Sequence, residues 1–197
     1  RQWTMIRKTA LLGTLALLLA NCSGHSEREP PDAASPACAG IAARKMVWIE
    51  GGTFTMGEEA RYREEGPPRT VTVEGFWMSA TEVTNAQFAE FVEATGYRTE
   101  AERDPPQMAG APPEMRSPGS AVFRVPPPDN ANWWQWMPGA DWRHPNGPGS
   151  SIEGRGNDSV VQVTYNDALA YATWAGASLP TEEQWEFAAC AGGAALP

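Results

Sequence analysis

Histidine and cysteine are scarce in this sequence, with two and three residues respectively in 197. No CxxC pair, HExxH run or EF-hand spacing occurs, which leaves no basis for a zinc site made by this chain alone. The longest largely apolar run, residues 10–20, has 11 residues. A bilayer-spanning helix needs about 20. Positive charge is also short: 15 Lys and Arg face 24 Asp and Glu, a net charge of −9. Residues 1–22 hold Arg1, Arg7 and Lys8 and no acid, so the remainder carries −12. Such an acidic body argues against nucleic acid as a partner. A hydrophobic content of 42% excludes global disorder, and the length fits one ordinary domain or part of a larger one.

Against these shortages stand nine Trp, 18 Pro and 19 Gly. That mixture predicts irregular structure stapled by large aromatic rings. The amino end reads as a targeting segment. Met5 is a plausible start, Arg7 and Lys8 form a positive region, and residues 10–20 form a signal-type apolar core. It closes on Leu19-Ala20-Asn21-Cys22, which resembles a bacterial lipobox with Cys22 as the lipidated residue. Asn21 departs from that pattern, where a small residue is usual. The alternative is a plain secretory signal with an incidental Cys22. Both place the protein in the bacterial cell envelope, exported, and the first adds a membrane anchor at Cys22. Residues 23–43 form a polar, Pro- and Ala-rich tether, and the pairing of its Cys38 is not deducible. The folded part is expected over 44–197.

Within it, "KMVWIEGGTFTMG" predicts a hairpin turning at Gly51-Gly52, and "RTVTVEGFWMS" a further strand with Val71 and Val73 on one face. Three helix starts follow. Thr84 with Gln87 and Thr181 with Gln184 make full capping boxes. Thr164 opens a third helix, with Asp167 in the slot where Glu or Gln is the stronger choice. Val83 and Phe88 are placed for a hydrophobic staple, and Gly96, Gly176 and Gly192-Gly193 are the stops. The predicted apolar faces are Phe88, Phe91 and Val92; then Ala168, Tyr171, Ala172 and Ala175; then Trp185, Ala188 and Ala189. "SVVQVTY" is a buried-strand candidate. The long stretch before it has no sustained periodicity, so it is either functional or held by many specific contacts.

The segments "MVWIEGGTFTMG", "VEGFWMSATEVTNAQFAEFVEATGY", "WWQWMPGADWRHPNGPGSS" and "DALAYATWAGASLPTEEQWEFAA" occur in this order. Together they resemble the formylglycine-generating enzyme, or sulfatase-modifying factor, family. The resemblance runs from about residue 45 to 193. It implies an α+β fold, the formylglycine-generating-enzyme fold related to C-type lectins, with little regular secondary structure. It implies oxidation by O2 of a Cys within Cys-x-Pro-x-Arg of a sulfatase polypeptide to formylglycine. It implies copper(I) held by two thiolates four residues apart, which suits a soft ion, and structural calcium. In the family the "LPTEEQWEFAA" helix lies near mid-domain, with the Cys pair and calcium ligands after it. The resemblance therefore implies a truncated domain: the amino-terminal half of an oxidase, inactive alone, with no catalytic or metal residue of its own. The alternative is a non-catalytic envelope lipoprotein that uses the same fold as a binding module.

Individual side chains carry open roles. Trp133, Trp134, Trp136 and Trp142 either line a peptide groove or staple an irregular loop. His144 has the chemistry for proton transfer or for a structural hydrogen bond, and Arg143 for a peptide contact or an ion pair. By resemblance Cys190 is a candidate for a structural disulfide with a downstream Cys. Ala177-Ser178 and Asn157-Asp158-Ser159 depart from the family's usual residues, and "IEGR" at 152–155 matches a protease tag by coincidence.

Overall fold

The computed structural model describes residues 46–57, 62–106, 109–125 and 132–191. Six short strands and three helices occur among them, joined by 3-10 turns and irregular loop. The mixed α+β character expected from the sequence is present. Cys22, Cys38 and the tether lie outside the described residues.

The first four strands are β1 (Met46–Ile49), β2 (Gly52–Met56), β3 (Arg69–Val73) and β4 (Phe76–Ser79). The expected turn at Gly51-Gly52 is absent. β1 pairs with β4 and β2 with β3, both antiparallel. The register Ile49↔Phe76 continues into Gly52↔Val73 without a slip, so the two ladders are one ribbon interrupted at its middle. Gly51 explains the interruption. A Cβ on it would sit 2.6 Å from both Gly75 N and Val73 O, so the backbones approach here as only glycine allows. The glycine pair marks a close crossing, not a reversal. The reversal is the charged loop between β2 and β3. Val71 and Val73 do share the inward face.

Helix α1 (Asn85–Thr95) starts on the predicted box. Gln87 Nα donates to Thr84 Oγ1 at 3.3 Å, and Thr84 Nα donates to Gln87 Oε1 at 2.9 Å. It stops at Gly96, which is left-handed with φ 67°. The loop at 155–158 also caps it: Asn85 N and Ala86 N donate to the carbonyls of Asp158 and Gly156. Helix α2 (Tyr165–Trp174) ends in a Schellman pattern, with Gly176 N to Thr173 O and Ala177 N to Ala172 O. Phe88, Phe91 and Val92 of α1 meet Tyr171 of α2 and its C-cap Ala175 in the core, with Val83 packed beside them. Rings meet edge-to-face and stacked at 5.2–5.9 Å, each pair adding about 0.5–1.5 kcal/mol beyond its buried area.

Helix α3 (Glu182–Ala191) has its box intact, with Thr181 N to Gln184 Oε1 at 2.9 Å. Its buried face differs from expectation. Phe187 is the inward residue, packed at 5.4 Å on Phe54 and over Gly52 of β2, while Trp185 is 60% exposed and Ala189 is exposed. Two polar links fix that rotation: Gly57 N donates to Glu186 Oε1 at 2.8 Å, and Arg69 pairs with Glu183 at 3.0 Å.

The long stretch between α1 and α2 holds β5 (Gly119–Phe123) and β6 (Trp134–Pro138), an antiparallel pair that sequence periodicity did not reveal. "SVVQVTY" is not a strand. Ser159 makes a lone bridge to Thr84, and Gln162 turns the chain with φ 60° while its amide donates to Pro145 O. Extended backbone cannot continue through that conformation.

Gly51→Ala is expected to destabilise the full chain by about 2–3 kcal/mol, because backbone rather than side chain must yield. Gly149→Ala, which meets nothing within 4 Å, is expected to be near neutral. Chemical denaturation of both variants checks this, and equal effects would refute the crossing.

Candidate functional site

The candidate residues lie in the β5–β6 pair and the loop after it, and the structure sorts them into three environments. Trp133 and Trp134 are 47% and 61% exposed. They flank Phe123, which is itself exposed: Trp133 stacks on it at 5.7 Å, and Trp134 meets it edge-on at 5.5 Å. The pairing Phe123↔Trp134 builds this platform, since directly opposite residues share a face of the ladder. Phe123 is a platform member that sequence reading missed. Its only signal was an aromatic residue at the end of the short run "GSAVF".

Trp142 is 2% exposed and belongs to the core, 5.2 Å from Phe88. Trp136 is half-buried on β6. Arg143 lies over the Trp142 ring at 4.1 Å and pairs with Glu102 at 3.1 Å. His144 is held by Asp141, whose Oδ1 accepts from His144 N at 2.8 Å and Arg143 N at 2.7 Å and lies 3.2 Å from His144 Nδ1. The imidazole's Nδ1 is thus engaged, and the side chain remains 43% exposed. Cys190 is an exposed free thiol in the last turn of α3.

Behind this surface sits a carboxylate whose role went beyond what the sequence indicated. Asp167 is fully buried. Its Oδ2 accepts from Thr164 N at 2.8 Å and Thr164 Oγ1 at 3.0 Å, completing the α2 cap. Its Oδ1 accepts from Tyr97 OH at 3.0 Å and Glu100 N at 3.1 Å, at the other end of the long loop. Burial, then the hydrogen bond and charge of Asp167, push the Tyr97 hydroxyl above its ordinary value of 10.0, opposed in part by Arg103. Burial, then the charge of Glu90, raises Tyr171 likewise.

A separate, largely apolar groove of about 670 Å³ opens between β4, α1, α2 and the start of α3. Trp77, Met78, Phe88, Tyr171, Ala175 and Trp185 line it, and none of the candidate residues does. Among the described residues no group of three or more His, Cys, Asp or Glu converges on a point where a metal ion fits.

Short ribbons, three Thr-capped helices and an aromatic loop pinned between them define a domain class, and residues 31–196 match the model of the sulfatase-modifying factor enzyme 1-like domain. The chain belongs to that family. Within it the chain is similar to the formylglycine-generating enzyme of Mycobacterium tuberculosis, 50% identical over 155 residues, which are 75% of this chain and 52% of that protein. The mouse formylglycine-generating enzyme is 48% identical over 160 residues, 78% of this chain and 41% of that one. The mouse inactive C-alpha-formylglycine-generating enzyme 2 is 43% identical over 152 residues, 75% and 47% of the two chains. The chain spans about half the length of these curated relatives.

The raised tyrosines set an alkaline limit. A phenol whose folded value exceeds its unfolded one lends stability in full below the unfolded value, and that contribution is lost as pH rises through the folded value. The melting temperature of the full chain is expected to fall from about pH 9 to about pH 11. Tyr97→Phe is expected to make that fall shallower, leaving the share due to Tyr171. Parallel thermal melts across that range decide it, and an unchanged slope rejects the role of Tyr97.

Proposed function

We propose that this chain is the scaffold and peptide-binding half of a formylglycine-generating oxidase. In that reading the intact protein uses O2 to convert the Cys of a Cys-x-Pro-x-Arg segment in a sulfatase polypeptide to formylglycine. The supporting observation is the family match over 31–196 together with relatives bearing that name at 48–50% identity. The fold in this reading is the formylglycine-generating-enzyme fold, related to C-type lectins and present here in part.

The Phe123–Trp133–Trp134 platform has the chemistry to receive such a peptide. Exposed rings on a short ladder offer flat apolar area at low entropic cost, and proline packs well on aromatic faces. An Arg-bearing segment is drawn to the acidic body, which carries −12 without residues 1–22. Arg143 and His144 lie on the same loop as polar candidates for its backbone.

Copper(I) and calcium do not fit the described residues. Cys190 is the one described thiol, a two-thiolate site needs a second, and no acidic cluster assembles. The reading therefore assigns both ions to the length of the relatives that this chain does not span, and no chemical step is derived through either. The intact parent is the enzyme, and this chain alone is inactive. Export and lipid anchoring through Cys22 belong to the same reading and place the protein in the bacterial cell envelope.

The inactive relative at 43% identity favours a second reading, a binding module that takes the peptide and leaves its Cys untouched. One assay separates the two. A Cys-x-Pro-x-Arg peptide is titrated into the full chain, and the products formed with copper and O2 are weighed by mass spectrometry. Binding without aldehyde is expected, weakened about tenfold by Trp134→Ala. Conversion by this chain unaided, or no binding at all, overturns the scaffold reading. A parent protein that binds but forms no aldehyde establishes the second. Separately, radiolabelled palmitate is expected to enter the protein in a bacterial host and to be lost in Cys22→Ala; equal labelling of both rejects the anchor.

A further inference from the structure

We propose that Asp167 is a positioning residue that fixes, from helix α2, the pose of the loop carrying the aromatic platform and the Arg143–His144 pair. The proposal deepens the peptide-binding reading and rests on it for its functional meaning, while its structural test stands independently.

The three helix starts provide an internal comparison. α1 and α3 place Gln at the third position, and each Gln reaches back to its own N-cap Thr: Gln87 to Thr84 and Gln184 to Thr181, both at 2.9 Å. No further partner of Gln87 or Gln184 is needed to complete those caps. α2 uses Asp, and there the same back-bond occupies only Oδ2. Oδ1 takes Tyr97 OH and Glu100 N, the latter also reaching Oδ2 at the longer distance of 3.4 Å. A fully buried carboxylate is costly to desolvate, and capping alone does not require one. Its four donors are neutral groups, drawn from both ends of the long loop. The residue thus closes that loop like a clasp.

Two routes lead outward from the clasp. Glu100 begins the 3-10 turn Glu100–Glu102, which lies against β5 and contains the buried Ala101. β5 ends in Phe123, the centre of the platform. The second route is polar. Glu102 Oε2 accepts from Thr99 N and Oγ1, both at 2.8 Å, while Oε1 takes Arg143 at 3.1 Å. Arg143 lies over Trp142, and Asp141 then orders the backbone of Arg143 and the ring of His144. Asn166, next to Asp167, ties the turn again by donating to Glu100 Oε1 at 2.6 Å.

The test compares Asp167→Asn with Thr164→Ala in the full chain. Thr164→Ala weakens the cap on the Oδ2 side and leaves both Oδ1 donors in place. Asp167→Asn weakens acceptance on both sides. Amide exchange at Glu100, Glu102, Arg143 and His144 is expected to quicken about tenfold or more in Asp167→Asn. In Thr164→Ala the quickening is expected only in the first turn of α2. Indole N–H signals of Trp133 and Trp134 are expected to shift in Asp167→Asn alone. Loop exchange that rises equally in both variants, or rises in proportion to lost melting temperature at every amide, overturns the proposal. Loss of peptide affinity in Asp167→Asn joins the clasp to the peptide-binding reading. Unchanged affinity alongside the loop-specific exchange rejects that functional role and keeps the clasp.

Discussion

A buried negative charge without a cation is tolerable only when hydrogen bonds replace the water it lost. Asp167 meets that condition with four donors from three residues, its neighbour Thr164 and the distant Tyr97 and Glu100. The arrangement is demanding. The donors must arrive together, since a carboxylate left half-satisfied in a dry site is worse than none. The position of Tyr97, the entry into the turn at Glu100 and the start of α2 are therefore mutually dependent. Outside the β5–β6 pair, the irregular stretch between them gains its order from these points and from rings such as Trp142.

This explains which parts of the molecule were legible beforehand. Helix starts are local, because Thr84 and Gln87 find each other within one turn whatever the rest of the chain does. All three caps were accordingly readable, and so were the inner faces of α1 and α2, where aromatic spacing repeats. Strand partners are not local. Gly51-Gly52 carries a reversal signal in isolation, and only the approach of Val73 and Gly75 turns it into a crossing. The face of α3 was misread for the same reason: Trp185 and Phe187 are both large and apolar, and the choice is made by β2 and by Glu186 reaching Gly57.

The candidate surface was legible in part. Trp133, Trp134, Arg143 and His144 were identifiable by residue type, yet one row of tryptophans divides into an exposed pair and a core member only once β5 and β6 pair. Glu102 and Asp141 escaped notice, and Asp167 was read only as a cap residue, because a carboxylate that positions others looks like any surface acid in sequence. One trace existed: a single Asp among three otherwise Gln-bearing caps. The platform and the apolar groove are distinct surfaces, so the exposure of the platform's rings and the burial of the groove's rings are separate physical problems for this fold.

The ribbon's inner half has a bearing on how the protein is made. Its seat for Phe187, and the contacts from Gly57 and Arg69 to Glu186 and Glu183, join positions more than 110 residues apart. A ribosome delivers β2 and β3 long before α3 emerges, so that apolar face waits uncovered during synthesis. The inner half of the ribbon is therefore completed only after α3 has been made, although Gly57 and Arg69 precede their partners on that helix by more than 110 residues.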